Sequence, residues 1–323
     1  MIEAKNLTKA YGPVTVLKDV SFTLEKGKVY GLLGVNGAGK TTTMQLLSGY
    51  LAPTGGDVLA DGISMEKDPV KAKRKIGYLP EIPPLYPELT VAEFLSFQAE
   101  LRGIPKKDRL ESVREAIRIG NLSSVKRRLI SQLSKGFRQR VGLAATLMGD
   151  PEILILDEPT NGLDPVQMVE MRHMIRELAA EHVILVSSHV LSEIRQVADE
   201  LLIIAAGTLV LSGKIDELSA SGKVLEVTVK CTEAEAGTFM KKNLPGREMS
   251  MIPEGDGVQI RIREKAEEDL REAFFYAASK AKLPILEMKQ RTGDLEDLFL
   301  KVTEEAYRRI RPDEEVEEEE DDD

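Results

Sequence analysis

Short apolar runs alternate with amphipathic stretches along most of the chain, the pattern of an α/β protein. Val29-Tyr30-Gly31-Leu32-Leu33, Ile153-Leu154-Ile155-Leu156 and Val183-Ile184-Leu185-Val186 are apolar throughout, as strands buried on both faces are. The longest apolar run, residues 201–206, fits a core strand and falls far short of the roughly 18 residues of a membrane span. Residues 2–7 alternate like an edge strand. A turn at Tyr11-Gly12, a strand pair at 14–17 and 20–24, and a turn at Lys26-Gly27 follow. Residues 56–60 and 75–80 read as further strands, the latter ending at Glu81 and a proline-rich loop. Thr90-Val91-Ala92-Glu93 is a capping box that opens a helix to Arg102. A second helix over 105–120 sets Leu110, Val113 and Ile117 at helical spacing. Residues 90–149 are therefore expected to form a helical subdomain inserted in the βα pattern. Pro165 starts a helix carrying Met168, Met171 and Ile175.

Residues 218–222 have the composition of a linker. Beyond it the pattern predicts strand 224–230, helix 232–243, strands 249–253 and 258–262, helix 264–281, strand 285–288 and helix 294–309. The order βαββαβ predicts a small ferredoxin-like α+β unit. It carries no nucleophile, metal cluster or glycine loop. The expected division is 1–218, 219–312 and an acidic tail, 313–323, too charged to pack.

Charge changes little once the tail is set aside. The formal net charge is −10, but ten acidic residues sit in that tail. Removing them from the 54 acids leaves 44, equal to the 44 lysines and arginines, so no basic excess points to nucleic acid. The single cysteine, Cys231, rules out an internal disulfide and suits the cytosol. The N-terminal residues lack a signal-peptide layout.

The chemistry concentrates at Gly34-Val35-Asn36-Gly37-Ala38-Gly39-Lys40-Thr41, which matches G-x-x-x-x-G-K-[ST] between a buried strand and a helix that runs through Thr42 to Gly49. Such a loop curls its N–H groups around a phosphate chain at a helix N-terminus. Lys40 reaches the β- and γ-phosphates and the Thr41 hydroxyl ligates Mg²⁺. Asp157 and Glu158 end a buried strand, where α/β sheets bind ligands. Asp157 can hold Mg²⁺ through water, and Glu158 can polarise an attacking water. Ser134 is a candidate N-cap, at a helix N-terminus that offers a second anion site. His189 leaves a buried strand at the same sheet edge, where a neutral imidazole could bond a γ-phosphate; His173 and His182 read as structural. Tyr11 either stacks on a purine or packs a strand end.

Together these motifs resemble an ABC-type ATPase over residues 1–218: Walker A at 34–41, Walker B at 153–158, the signature at 133–139, the D-loop at 161–164 and the switch histidine His189. The resemblance implies a P-loop NTPase fold, an α/β mixed-sheet core with a helical subdomain. It implies ATP and Mg²⁺ as cofactors, held by Tyr11, the loop through Thr42 and, across a dimer, Ser134, Gly136 and Gln139. Thr41, Asp157 and Glu81 would face the metal; Glu158, His189 and Lys40 would carry catalysis. Two positions depart from the common pattern. Lys135 and Phe137 replace Gly and Gln of L-S-G-G-Q, and Glu81 stands where a glutamine is usual, so it cannot donate as an amide does. Both variants resemble the exporter branch whose separate ATPase chain pairs with an ABC-2-type permease. The resemblance implies a homodimer or a pair with a paralogous ATPase, on the cytoplasmic face of the plasma membrane. The other reading is a soluble ABC ATPase acting on translation or chromosomes. Fused ATPase pairs and long coiled coils mark those types, and this chain has one phosphate loop and no sustained heptads. A GTPase would need N-K-x-D, which is absent.

Overall fold

The computed structural model describes residues 1–310 apart from 221–223, 248, 256, 265–267 and 292–294. The acidic tail and part of the expected linker, Ser221 and Gly222, lie outside the described residues. The chain divides into two compact units: Met1–Gly213 with the described residues from Val302 onward, and Lys214–Lys301.

In chain order the elements of the first part are β1 (Ile2–Tyr11), β2 (Val14–Leu24), β3 (Val29–Leu33), α1 (Lys40–Leu47), β4 (Gly55–Ala60), β5 (Ile63–Ser64), α2 (Pro69–Arg74) and β6 (Ile76–Leu79). There follow α3 (Val91–Leu101), α4 (Lys106–Ile119), α5 (Lys135–Thr146), β7 (Ile153–Leu156), α6 (Pro165–Ala179), β8 (Val183–Ser188), α7 (Leu191–Ile194), β9 (Glu200–Ala205) and β10 (Thr208–Lys214). A six-stranded sheet in the order β10-β9-β3-β8-β7-β6 forms the centre, with β3, β6, β7, β8 and β9 parallel. Every residue of β3, β7 and β8 is buried, as the apolar runs require. A second, antiparallel sheet runs β2-β1-β4-β5.

That second sheet corrects two expectations. β1 is an interior strand, flanked by β2 and β4; it extends to Tyr11, and the expected turn lies one residue on, at Gly12-Pro13, with Gly12 at φ +59°. Residues 14–24 form one irregular strand. Asp19 sits at φ +52°, where its carboxylate accepts from Asn6 Nδ2 at 2.6 Å, and this kink imitates a break in the pattern. The pattern also missed α2, although Asp68 caps it by accepting the Lys71 N–H and Pro69 occupies its first turn.

α3, α4 and α5 pack around Phe94, Leu95, Val113, Ile117 and Val141. The Thr90–Glu93 capping box is formed in both directions. Leu110 is a correction: it is 62% exposed, because α4 buries the stripe of Val113, Ala116 and Ile117 instead.

The second unit begins with α8 (Ile215–Ala220), a helix where a linker was expected, and continues with β11 (Val224–Val229), α9 (Glu233–Asn243), β12 (Met249–Glu254), β13 (Gly257–Arg263), α10 (Arg271–Lys280) and β14 (Ile285–Arg291); α11 (Leu295–Ile310) ends the described chain. The antiparallel order β12-β13-β11-β14 is the ferredoxin-like arrangement. α10 starts later than Glu264. That residue is buried outside the helix, its carboxylate accepting from the Leu270 N–H at 2.6 Å and from Gln290 Nε2 at 2.5 Å.

Candidate active site

β3 delivers the phosphate loop, and two glycines show why no other residue serves there. A Cβ on Gly34 would lie 2.4 Å from the Ile204 carbonyl oxygen, and Gly39 holds φ +110° at the N-cap of α1. Lys40 is folded over its own loop, donating from Nζ to the Gly34 carbonyl at 2.7 Å and to Val35 at 3.3 Å. Burial lowers its pKa, while Glu158, Asp157 and Glu81 work against that shift.

The parallel pairing of β7 with β8 puts Asp157 and Glu158 beside Ser187. The Ser187 hydroxyl donates to Asp157 Oδ1 at 2.5 Å and accepts the Glu158 N–H at 2.9 Å. Asp157 is buried, and burial raises its pKa; the Ser187 and Thr41 hydroxyls and Lys40 pull it down. Glu158 adopts φ +48°, a left-handed backbone uncommon outside glycine, and so turns its carboxylate out of the strand direction. That carboxylate meets His189 Nδ1 at 2.9 and 3.0 Å. An ionised carboxylate only accepts, so Nδ1 carries the proton. A neutral imidazole thus spends its one N–H on Glu158. Bonding a γ-phosphate, as the sequence suggested, requires the ring to turn or to gain a proton.

Asn36, Gly37, Gly39, Lys40, Thr41, Thr42, Glu81, Glu158 and His189 line one cavity of about 360 Å³, together with Val16 and Asn161. Gly34 and Ala38 are buried behind it, while Val35 is half-buried. Asn161 Nδ2 donates to Glu81 Oε1 at 2.8 Å, tying the turn before α6 to the end of β6. Thr41, Asp157 and Glu81 supply hard oxygen donors near one another, a set suited to Mg²⁺.

Other candidates stand apart from this cavity. Tyr11 is 49% exposed at the end of β1, its ring 5.1 Å from Lys9 Nζ. Ser134 caps α5 by accepting the Phe137 N–H, and is itself exposed. Gly136 is buried against Gln167, which a Cβ would meet at 2.3 Å. Gln139 is 3% exposed inside α5, enclosed to about the same degree as Asp157. Lys135 lies against the turn before α6: a Cβ on Gly162 would meet its Nζ at 2.1 Å. Sequence reasoning missed Ser187, Val16 and the contact made by Asn161. Ser187 alone left a signal, as a polar residue closing an apolar strand beside Ser188 and His189.

Residues 17–161 match the model of the ABC transporter family. The bacitracin transport ATP-binding protein BcrA of Enterococcus faecalis is 43% identical over 220 residues, covering 68% of this chain and 70% of its own length. The uncharacterized ABC transporter ATP-binding protein YhcH of Bacillus subtilis (strain 168) is 34% identical over 315 residues, 96% of this chain and 98% of its own. A solved dimeric ATP-binding cassette, in a post-hydrolysis state bound to ADP and Pi, is 25% identical with a TM-score of 0.61, covering 67% of this chain and 99% of that one.

Proposed function

The chain belongs to the ABC transporter ATP-binding family, and from that premise we propose that it energises an exporter by pairing with a separate ABC-2-type permease on the inner face of the plasma membrane. It is an ATP-binding and ATP-hydrolysing subunit of a membrane transporter. Among the described residues no helix is long and apolar enough to cross a membrane, and in the proposed assembly the permease supplies the spans.

The observation that carries the reading is the convergence of Lys40, Glu158 and His189 on one cavity above the parallel sheet. In the proposed mechanism the loop N–H groups hold the phosphates, and Lys40 leaves the Gly34 carbonyl for the γ-phosphate. Glu158 orients the attacking water and takes its proton, with His189 steadying the carboxylate. Mg²⁺, when bound by Thr41 and Asp157 with Glu81 nearby, would neutralise charge on the phosphate oxygens. Ser134 and Gly136 of a second chain, either a copy or a paralogue, would close the site, and Tyr11 would stack on the adenine. ATP then holds the dimer together until hydrolysis. The relative named for bacitracin transport supports an exporter role.

Affinity purification from native membranes in mild detergent tests the partner. A stoichiometric polytopic membrane protein is expected. Recovery of ribosomes or DNA-bound proteins instead would overturn the transport reading and leave the ATPase intact.

A further inference from the structure

The sheet of the Lys214–Lys301 unit ends in two unlike edges. The outer edge of β12 contains Pro253, which has no N–H to offer, and proline is one way edge strands are blunted. The outer edge of β14 has no proline, and among the described residues no strand pairs with it. Leu286 there is 55% exposed, the extra residue where the register with β11 shifts between Val229↔Ile285 and Thr228↔Glu287. Glu287 and Lys289 follow on one face, their side chains 56% and 37% exposed and 3.3 Å apart.

We propose that β14 pairs antiparallel with β14 of a second copy, about a two-fold axis at Met288, joining the two sheets into one. Three features argue for this occupant and this register. A two-fold axis through a continuous sheet must set residues of the same face opposite one another, so it passes through a residue position. Centred on Met288, it places Glu287 of each copy opposite Lys289 of the other, twice over, and Leu286 opposite Gln290. Centred one position either way, it sets Glu287 against Glu287, or Lys289 against Lys289 with Glu287 opposite Arg291, and like charges directly opposed are destabilising. Of these three registers, only the one centred on Met288 opposes unlike charges with no like-charged pair. The contact uses no group of the nucleotide cavity, so it holds without ATP and stands independently of the transport reading.

The test uses the full chain with Cys231, its one cysteine, replaced by serine, and ATPase activity as the check of folding. Met288→Cys under mild oxidation without nucleotide is expected to give a covalent dimer, because facing Cα atoms lie about 4.5–5.5 Å apart. Ser250→Cys on β12 is the comparison and is expected to give none. Adding Glu287→Lys to Met288→Cys should slow the reaction about tenfold, since two pairs turn from attraction to repulsion. Adding Lys289→Glu as well should restore it. Cross-linking no better than Ser250→Cys, a double reversal no faster than the single one, or a covalent dimer that forms only with ATP would each overturn the proposal.

Discussion

Ser187→Ala is the perturbation that bears most directly on how the site is held. One buried hydroxyl donates to Asp157 and accepts from the Glu158 backbone, so the candidate metal ligand and the candidate general base both hang on it. Its loss removes a hydrogen bond to a carboxylate, about 1.5–3 kcal/mol, and strands an N–H, about 1 kcal/mol or more. We expect a total near 3 kcal/mol, read as a lower urea midpoint of the transition that reports the ATPase unit. Asp157 also loses a group that holds its pKa down, so hydrolysis should need more Mg²⁺. Ser188→Ala is the comparison: its hydroxyl accepts only the Val190 N–H at 3.0 Å with a long contact to Glu193, a cost of about 1 kcal/mol. If Ser187→Ala is no less stable than Ser188→Ala and keeps the wild-type Mg²⁺ response, the bridging role is wrong.

Three further outcomes follow from the same geometry. Glu158→Gln should retain ATP affinity, slow phosphate release by at least about a hundredfold as loss of a general base does, and accumulate an ATP-bound dimer on gel filtration; near-normal release would sink the assignment. Asp157→Asn should abolish Mg²⁺-dependent hydrolysis yet match or exceed wild-type stability at neutral pH. The Asp157 pKa is raised in the folded chain, so its ionisation weakens the fold above that pKa. The variant's advantage should fade as pH falls toward the ordinary carboxylate value of 3.8; an advantage that grows on acidification would contradict the sign. Gly34→Ala should lose ATP affinity, measured by calorimetry, because its Cβ collides with the Ile204 backbone. Gly62→Ala meets nothing within 4 Å and should cost only about 1–2 kcal/mol of backbone strain with affinity unchanged.

What the sequence determined on its own is local. The apolar runs of β3, β7 and β8, the glycine loop running into α1, and the caps at Thr90 and Ser134 each depend on residues within a few positions of one another, and all were legible as patterns. The identity of the candidate catalytic groups was legible too, since motif chemistry is written in short spacings. What only the tertiary structure decided is long-range. The order β9-β3-β8-β7-β6 sets Asp157 beside Thr41 and Glu158 beside His189, thirty-one positions on. No periodicity encodes which strands become neighbours, because that choice is made by burying whole faces against each other. The interior place of β1, the left-handed turn at Glu158, the Ser187 bridge and the Asn161–Glu81 contact belong to the same class. So does the burial of Gln139. A polar residue looks available in a sequence, and only packing around α5 shows that this one is enclosed.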